Sequence, residues 1–410
     1  MSDRYPGGII SATAPEPVAP VDGEGGSAPG VWTMEQASYY EAAGQWPMPI
    51  LPRELYLTGI NTVGPLGTND RTGQSSPVQV AASSTWTSIS TSNDTTLAVR
   101  SNGTLWAWGK ATDGVLGTND VINKSSPVQV GALTNWKIVR KGQSHVGAIK
   151  TDGTLWMWGN QYLGRLGNND GAFVDISSPI QIGSDTDWAY VRPSASSNTL
   201  FIKTDGTLWT CGEGFAGANG TNTVINISSP VQIGTDTNWS VVGTGADQAL
   251  GLKTDGTLWG WGYNFYGELG QNDRIRRSSP TQVGALTSWS NFDHGLRHVL
   301  ATQTDGSLWS WGDNGGGQLG QNVATTVDRS SPTQVGTETY WSKVSTLGLS
   351  SYAITTSKNL ISWGRGNNGQ LGQDSTVSHS SPVQIGSDTN WLEISQGSAV
   401  TNHSGFFKQG

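Results

Sequence analysis

The stretch Val146-Gly147-Ala148-Ile149-Lys150-Thr151-Asp152-Gly153-Thr154-Leu155-Trp156-Met157-Trp158-Gly159 decides the fold. Its two halves are short apolar runs, and the Asp-Gly between them is a strong hairpin signal. A tight primed turn needs positive φ, which Gly supplies. Successive strand residues point to opposite faces, so Trp156 and Trp158 share one face and Leu155 takes the other. A strand that is apolar on both faces has to be covered on both. Sheets stacked radially, each between two neighbours, provide that cover.

The pattern repeats along the chain. Its two runs recur at 97–109, 200–212, 250–262, 300–312 and, loosely, 352–364. A Ser-Ser-Pro-x-Gln-Val/Ile string occurs seven times, with prolines at 77, 127, 179, 230, 280, 332 and 382. A lone tryptophan follows each one: Trp86, Trp136, Trp188, Trp239, Trp289, Trp341 and Trp391. Each unit of 50–52 residues therefore holds four candidate strands. Repeats of that length and strand number indicate a propeller, whereas a parallel β-helix, ranked second, has much shorter coils. The expected fold is all-β, a seven-bladed β-propeller of four-stranded blades.

The ends bear on closure. The tail, residues 401–410, aligns without gaps on 150–159, and residues 75–80 form a Ser-Ser-Pro strand without partners. Residues 75–80 are thus expected to complete the blade begun at Trp391, so that the two ends jointly shut the ring. Glu54-Leu55-Tyr56-Leu57-Thr58-Gly59 resembles a further Leu-Trp-x-Trp-Gly strand. Whether 54–59 or 406–410 supplies the closing strand stays open at this stage. The division expected is a docking segment with a linker at 1–52 and the propeller at 53–410.

Composition narrows the function. The chain has 410 residues, 56 glycines, 19 tryptophans and only 13% charged residues, as suits short strands and tight turns. Its net charge of −8 lacks the basic footprint of nucleic-acid binding. No apolar run approaches the roughly 20 residues needed to cross a bilayer. The first residues lack the charged start and apolar stretch of a secretory signal, so folding in a cytoplasm or another export route is expected. The single Cys211 excludes an intramolecular disulfide and reads as a small buried substitute for Trp.

No catalytic or cofactor motif stands out. His145 and His298 occupy matching places before a strand and read as structural. His294, His379 and His403 have no recognisable nucleophile context. The Gly-Thr-Asn-Asp and Gly-Gln-Asn-Asp strings at 67–70, 117–120 and 270–273 offer one carboxylate each. Calcium wants 6–8 oxygens, so turn chemistry is the reading and no metal or cofactor is expected. A non-enzymatic role follows.

Gly-Thr-Leu-Trp-x-Trp-Gly followed by Gly-x-Leu-Gly, as in Trp261-Gly262-Tyr263-Asn264-Phe265-Tyr266-Gly267-Glu268-Leu269-Gly270, resembles the regulator of chromosome condensation repeat. The resemblance covers roughly 54–410. It implies a seven-bladed propeller whose loop faces bind other macromolecules. Nucleotide exchange and chromatin docking, known in that family, are not expected here. The spacings leave no room for an inserted exchange wedge, and residues 1–54 set only Arg4 and Arg53 against seven acids.

The N-terminal stretches at 5–15 and 28–47 are similar to segments on structural and fibre-like proteins of tailed cyanobacterial phages. That resemblance implies a virion protein assembled in the host cytoplasm, with a tail-fibre, tail-associated or capsid-decoration role. Trp32, Tyr39, Tyr40 and Trp46 are its expected docking residues toward other virion proteins. Thr33 and Gln36 form a capping-box pattern, a helix is expected from Met34 to Ala43, and Gly44 suits its cap. The alternative is a soluble cellular interaction or inhibitor propeller.

One surface is singled out by the residues themselves. The loops after Trp-Gly carry Tyr162 and Leu163, Phe215, and Tyr263, Phe265 and Tyr266, where other copies have Gly, Asn, Asp or Thr. Arg274, Arg276 and Arg277 follow. Equivalent loops of adjacent blades emerge on one face, so this set is the expected contact surface for a host protein or glycan. The alternative is that the rings fold inward under their own loops.

Overall fold

The computed structural model describes residues 53–82, 84–170, 174–322, 327–397 and 402–410. The helix expected at 34–43 and the docking residues Trp32, Tyr39, Tyr40 and Trp46 lie outside the described residues. The remainder forms seven four-stranded antiparallel sheets, a seven-bladed propeller. Blades are numbered 1 to 7 from Trp86, and their strands first to fourth in the order of the sheet. In blade 2 these are Trp136–Lys141, His145–Lys150, Leu155–Gly159 and Ile176–Gln181. The first strands approach those of adjacent blades and line the axis. The fourth strands form the half-exposed outer edge.

Blade 7 joins the two ends of the propeller. Its order is Trp391–Ile394, His403–Gln409, Arg53–Gly59 and Gln74–Val80. Residues 75–80 do complete the blade begun at Trp391. Both rivals for the closing strand are used, 403–409 as the second strand and 53–59 as the third. The alignment of the tail on 150–159 is corrected by the register. Gly59 pairs with His403 as Gly159 pairs with His145, so the tail corresponds to a single strand beginning at His145. Phe406 and Phe407 imitate an aromatic third strand in sequence, but their pairing partners Tyr56 and Leu55 already fill that place.

The hairpin turn also differs from expectation. In Thr151-Asp152-Gly153 the glycine alone takes positive φ (+78°), Gly153 N bonds Lys150 O, and Lys150 N bonds Thr154 O. This is a three-residue loop ending in a left-handed glycine, not a two-residue primed turn. The Asp has a second task. Asp152 Oδ1 accepts from the Thr154 amide and hydroxyl, and Thr154 Oγ1 accepts from the Trp156 indole. The same relay runs through Asp205-Thr207-Trp209 and Asp255-Thr257-Trp259.

The core lies between blades. The Leu face of one blade meets the Trp face of the next: Leu200, Ile202, Leu208 and Ile233 of blade 3 pack on Trp239, Val242, Ala249 and Trp261 of blade 4. The two tryptophans of Leu-Trp-x-Trp share a face but differ in depth. Trp261 and Trp311 are fully buried. Trp259 and Trp309 are half-buried near the turn end, where Lys253 lies 4.0 Å above the Trp259 ring. The first of the pair is the less buried because it is nearer the end of the sheet.

A joint repeated seven times ties each blade to the next. The Ser-Ser-Pro segment bulges out of its sheet: Ile176 to Ile180 spans four residues opposite the two from Met157 to Gly159. Proline lacks an N–H and suits such a bulge on an edge strand. The carbonyl turned outward there accepts a backbone N–H from the preceding blade's loop. The pairs are Asn69 to Ser125, Asn119 to Ser177, Asn169 to Ser228, Asn222 to Ser278, Asn272 to Ser330, Asn322 to Ser380 and Asp374 to Ser75, at 2.7–2.9 Å. The same loop offers a carbonyl to the next blade's buried indole, as in Trp158 to Val115, Trp261 to Ala218 and Trp311 to Glu268. Glycine is required beside that indole: a Cβ on Gly320 would lie 2.6 Å from Trp363 Nε1.

Across the axis, Arg192 of blade 3 bonds Asp293 of blade 5 at 2.7 Å, with the side chains 2% and 4% exposed. Asp293 Oδ2 also accepts from the Thr346 amide and from the hydroxyls of Ser345 and Thr346 in blade 6. Gln396 Oε1 of blade 7 accepts from Arg192 and Tyr190 at 3.4 Å. Lys141 is buried as well, donating to Gly142 O and Gln143 O, and burial pushes its amine down to about 7. Polar side chains from several blades thus meet at the axis.

Candidate functional site

Connections between first and second strands and between third and fourth strands emerge at one end of the sheets, here the loop end. The joint fixes each third-to-fourth loop at its base. In blade 3, Gly217 approaches the Ser278 backbone so closely that a Cβ would lie 2.5 Å from Ser278 Cα, while Asn222 N bonds Ser278 O. In blade 4, Leu269 N and Asp273 are held by the buried Asn264 side chain. The residue three places after the glycine, Phe215 or Phe265, is therefore thrust outward on a rigid base.

This places Phe215 of blade 3 beside Tyr263, Phe265 and Tyr266 of blade 4. Phe215 and Tyr263 have centroids 6.5 Å apart at 27°. Tyr263 and Phe265 are 6.3 Å apart at 18°, and Phe265 meets Tyr266 edge-on at 5.0 Å. Phe215 and Phe265 are 47% and 56% exposed, so these rings do not fold inward. The Arg276 guanidinium lies 5.4 Å from the Phe215 centroid and 4.9 Å from that of Tyr263. Arg297, on the first-to-second connection of blade 5, lies 5.0 Å over Tyr266 and donates to its hydroxyl at 3.0 Å. Sequence reading missed Arg297, because its link to Tyr266 crosses between blades. Its matching place beside His298 in a first-to-second loop was the available signal.

The other residues of the expected set make contacts of their own. Arg274 pairs with Asp328 at 3.3 Å and Arg277 with Asp273 at 2.6 Å. Tyr162 and Leu163 belong to blade 2, where Arg165 bonds Tyr162 O and Ser197. Leu163 holds φ of 60°, a left-handed conformation uncommon for a side chain of its size. Beside them lies a polar pocket of about 420 Å³ lined by Gln143, Ser144, Asn160, Arg165, Asp175 and Ser196.

Two acids border the ridge. Burial raises Asp247, which also takes a hydrogen bond from Ser196 and feels Arg276. Burial likewise pushes Glu268 up to about 7, against hydrogen bonding from the backbone and the field of Arg297. Glu268 Oε2 accepts from the Tyr266 amide, as Gln318 and Gln370 Oε1 accept from Gly316 and Asn368.

Three histidines are structural in setting. His145, His298 and His403 are buried in equivalent places, and each Nε2 bonds a hydroxyl of the next blade: Thr199, Ser351 and Thr96. Burial pushes all three below the usual imidazole range. Asp120 Oδ1 accepts from the Ile122 amide and Asp273 Oδ1 from that of Ile275, so the Asn-Asp strings act as turns. Among the described residues no group of His, Cys, Asp and Glu is arranged to hold a metal ion. Cys211 is fully buried, and desolvation raises its thiol.

Comparison with known proteins agrees with the repeat. Residues 102–149, 255–302, 305–346 and 359–405 match the Regulator of chromosome condensation (RCC1) repeat, and 86–115 match a second model of that repeat. No curated protein matches the chain. Among solved structures, human WBSCR16 superposes with a TM-score of 0.76 at 19% identity, covering 87% of this chain and 100% of that one. Prp20p of Saccharomyces cerevisiae, described with its binding to Gsp1p and histones, gives 0.75 at 17% identity over 88% and 92%. Yeast RCC1 (Prp20) bound by Kap60 gives 0.74 at 16% over 88% and 90%. These likenesses concern the fold.

Proposed function

From the premise that the chain carries regulator of chromosome condensation repeats in a closed seven-bladed ring, we propose that it is a non-catalytic protein-interaction module. It receives its partner on the loop end of blades 3 to 5. The observation that carries this reading is the exposed ridge of Phe215, Tyr263, Phe265 and Tyr266 flanked by Arg276 and Arg297. Exposed apolar patches rimmed by polar groups mark contact sites, and aromatics and Arg dominate their energetics. The partners named for the yeast propeller are proteins. That class of ligand is carried over, not the individuals. A photoreactive benzoylphenylalanine in place of Phe265 is expected to trap a discrete protein in the producing cell, while one at Leu133 on the opposite end is not. Equal trapping at both positions, or none at either, removes the reading.

A virion structural role is the second reading, favoured by the N-terminal resemblance to structural proteins of tailed phages. In it, residues 1–50, with Trp32, Tyr39, Tyr40 and Trp46, dock on other virion proteins. The propeller then faces a partner on the particle or a host surface protein or glycan. Mass spectrometry of purified particles is expected to find the protein, and deleting 1–50 to prevent incorporation while the propeller still folds. Normal incorporation of the truncated chain overturns the docking role.

A further inference from the structure

The ridge carries two guanidiniums without an ion-pair partner, although the nearby carboxyls of Asp247 and Glu268, both raised by burial, feel their fields. Among the described residues no carboxylate lies within ion-pair distance of Arg276 or Arg297, although neighbouring Arg274 and Arg277 are paired with Asp328 and Asp273. Both unpaired guanidiniums lie over rings of the ridge. The loop-end connections of blades 3 to 5 contain no lysine. Lysines 150, 203, 253 and 408 instead cover tryptophans or a tyrosine at the other end of their sheets. Arg fits carboxylates in a planar, bidentate fork, which an ammonium does not.

The remainder of the molecule sharpens this. Residues 53–410 hold 22 lysines and arginines against 25 acids, a mildly acidic body, so an acidic partner is steered to the place where cations stand without an ion-pair partner. The Phe215–Tyr263–Phe265 row lies beside those cations, and apolar area there adds affinity that charge alone does not. We infer that the ridge binds an acidic polypeptide segment. Its carboxylates meet Arg276 and Arg297, and an apolar or aromatic side chain lies on the Phe215–Tyr263–Phe265 row. This rests on the interaction-module reading above and names the chemistry of its partner.

The test uses the full chain and a synthetic copolymer of glutamate and tyrosine, with polyglutamate and polygalacturonate as comparators, measured by titration calorimetry at low and high salt. The copolymer is expected to bind, more tightly than polyglutamate, with affinity falling as salt rises. Phe265→Ala and the double variant Arg276→Ala/Arg297→Ala should each weaken it by roughly tenfold or more, about 1.4 kcal/mol. Arg71→Ala, an exposed arginine on the loop end of blade 7, should change it less than twofold. Thermal unfolding of each variant confirms that the propeller is intact. No binding, an equal loss from Arg71→Ala, or tighter binding of polygalacturonate overturns the inference. If photocrosslinking at 265 still traps a protein while the copolymer does not bind, the module reading stands and only the partner's chemistry is wrong.

Discussion

Asp293 sits where blades 3, 5 and 6 converge, and it answers to four donors. Removing one partner of a buried ion pair leaves the other charge uncompensated, which costs about 3–5 kcal/mol. Asp293→Ala is expected to lower stability by that amount in urea denaturation, and Arg192→Met with Asp293→Leu to cost less than Asp293→Ala alone. Glu268 makes a pH-dependent prediction. Its carboxyl, near 7 in the fold against an ordinary 4.5, is destabilised when charged. A folded value raised above the unfolded one means stability falls as pH climbs from about 4.5 to 7, with the full cost present above 7. Glu268→Gln reproduces the residue found at 318 and 370. It should raise the melting temperature at pH 8 and leave it nearly unchanged at pH 4.5; an equal shift at both would show that ionisation is not the cause. Trp261→Ala should cost about 3–5 kcal/mol and Trp259→Ala clearly less, checked by the same denaturation series. At this scale the sequence shows which residues share a face, since strand periodicity is two. Depth was not legible: Trp259 and Trp261 look alike in the motif but differ in burial, because depth depends on where along the blade each lies. The axial Arg192–Asp293 pair was invisible for a related reason, since its partners lie 101 residues apart and no motif contains both.

Among strands, each blade keeps one aromatic filling between its first-strand Trp and its third strand, by one of two routes. Blades 1, 2, 4, 5 and 6 use a second tryptophan, Trp108, Trp158, Trp261, Trp311 or Trp363; two places along the second strand from its pairing partner stands a small residue, Ala98, Ala148, Gly251, Ala301 or Ala353. Blades 3 and 7 have Cys211 and Thr58 in the tryptophan's place, and there the small residue becomes Phe201 or Phe406. Phe201 reaches Trp188 at 5.3 Å, and Phe406 reaches Trp391 at 5.8 Å. Space beside the first-strand ring is tight in blade 4, where a Cβ on Gly251 would lie 2.5 Å from Trp239. Cys211→Trp alone should destabilise by overpacking, about 1–3 kcal/mol. Cys211→Trp with Phe201→Ala should recover most of that loss, a favourable coupling in a double-mutant cycle; strict additivity would refute the exchange. The strands themselves were legible, because alternation and Asp-Gly are local signals. The joint between blades was not, because the Asn and Ser-Ser-Pro that form it are read as separate motifs until adjacent repeats are stacked.

For the whole molecule, closure depends on residues 403–410 standing between the first and third strands of blade 7. Deleting them leaves Trp391–Ile394 and Arg53–Gly59 without a shared partner. The full chain should unfold in a single cooperative calorimetric transition that this truncation abolishes; a retained transition at the original temperature would mean the ring shuts without them. The number of blades and the joining of the two ends were legible from spacing alone, since seven prolines and seven tryptophans count seven units. The ridge was legible as a list of unusual loop residues, but its extent was not, as Arg297 joins it from the next blade. The antiparallel pairing of Arg53 with Gln409, with the two chains leaving the sheet on the same side, has a mechanical consequence. Tension between the two ends strips that ladder one bond after another and does not shear it all at once. Under an optical trap the protein should therefore yield first at blade 7, at low force, and unwind from there like a cut spring while the six continuous sheets still resist.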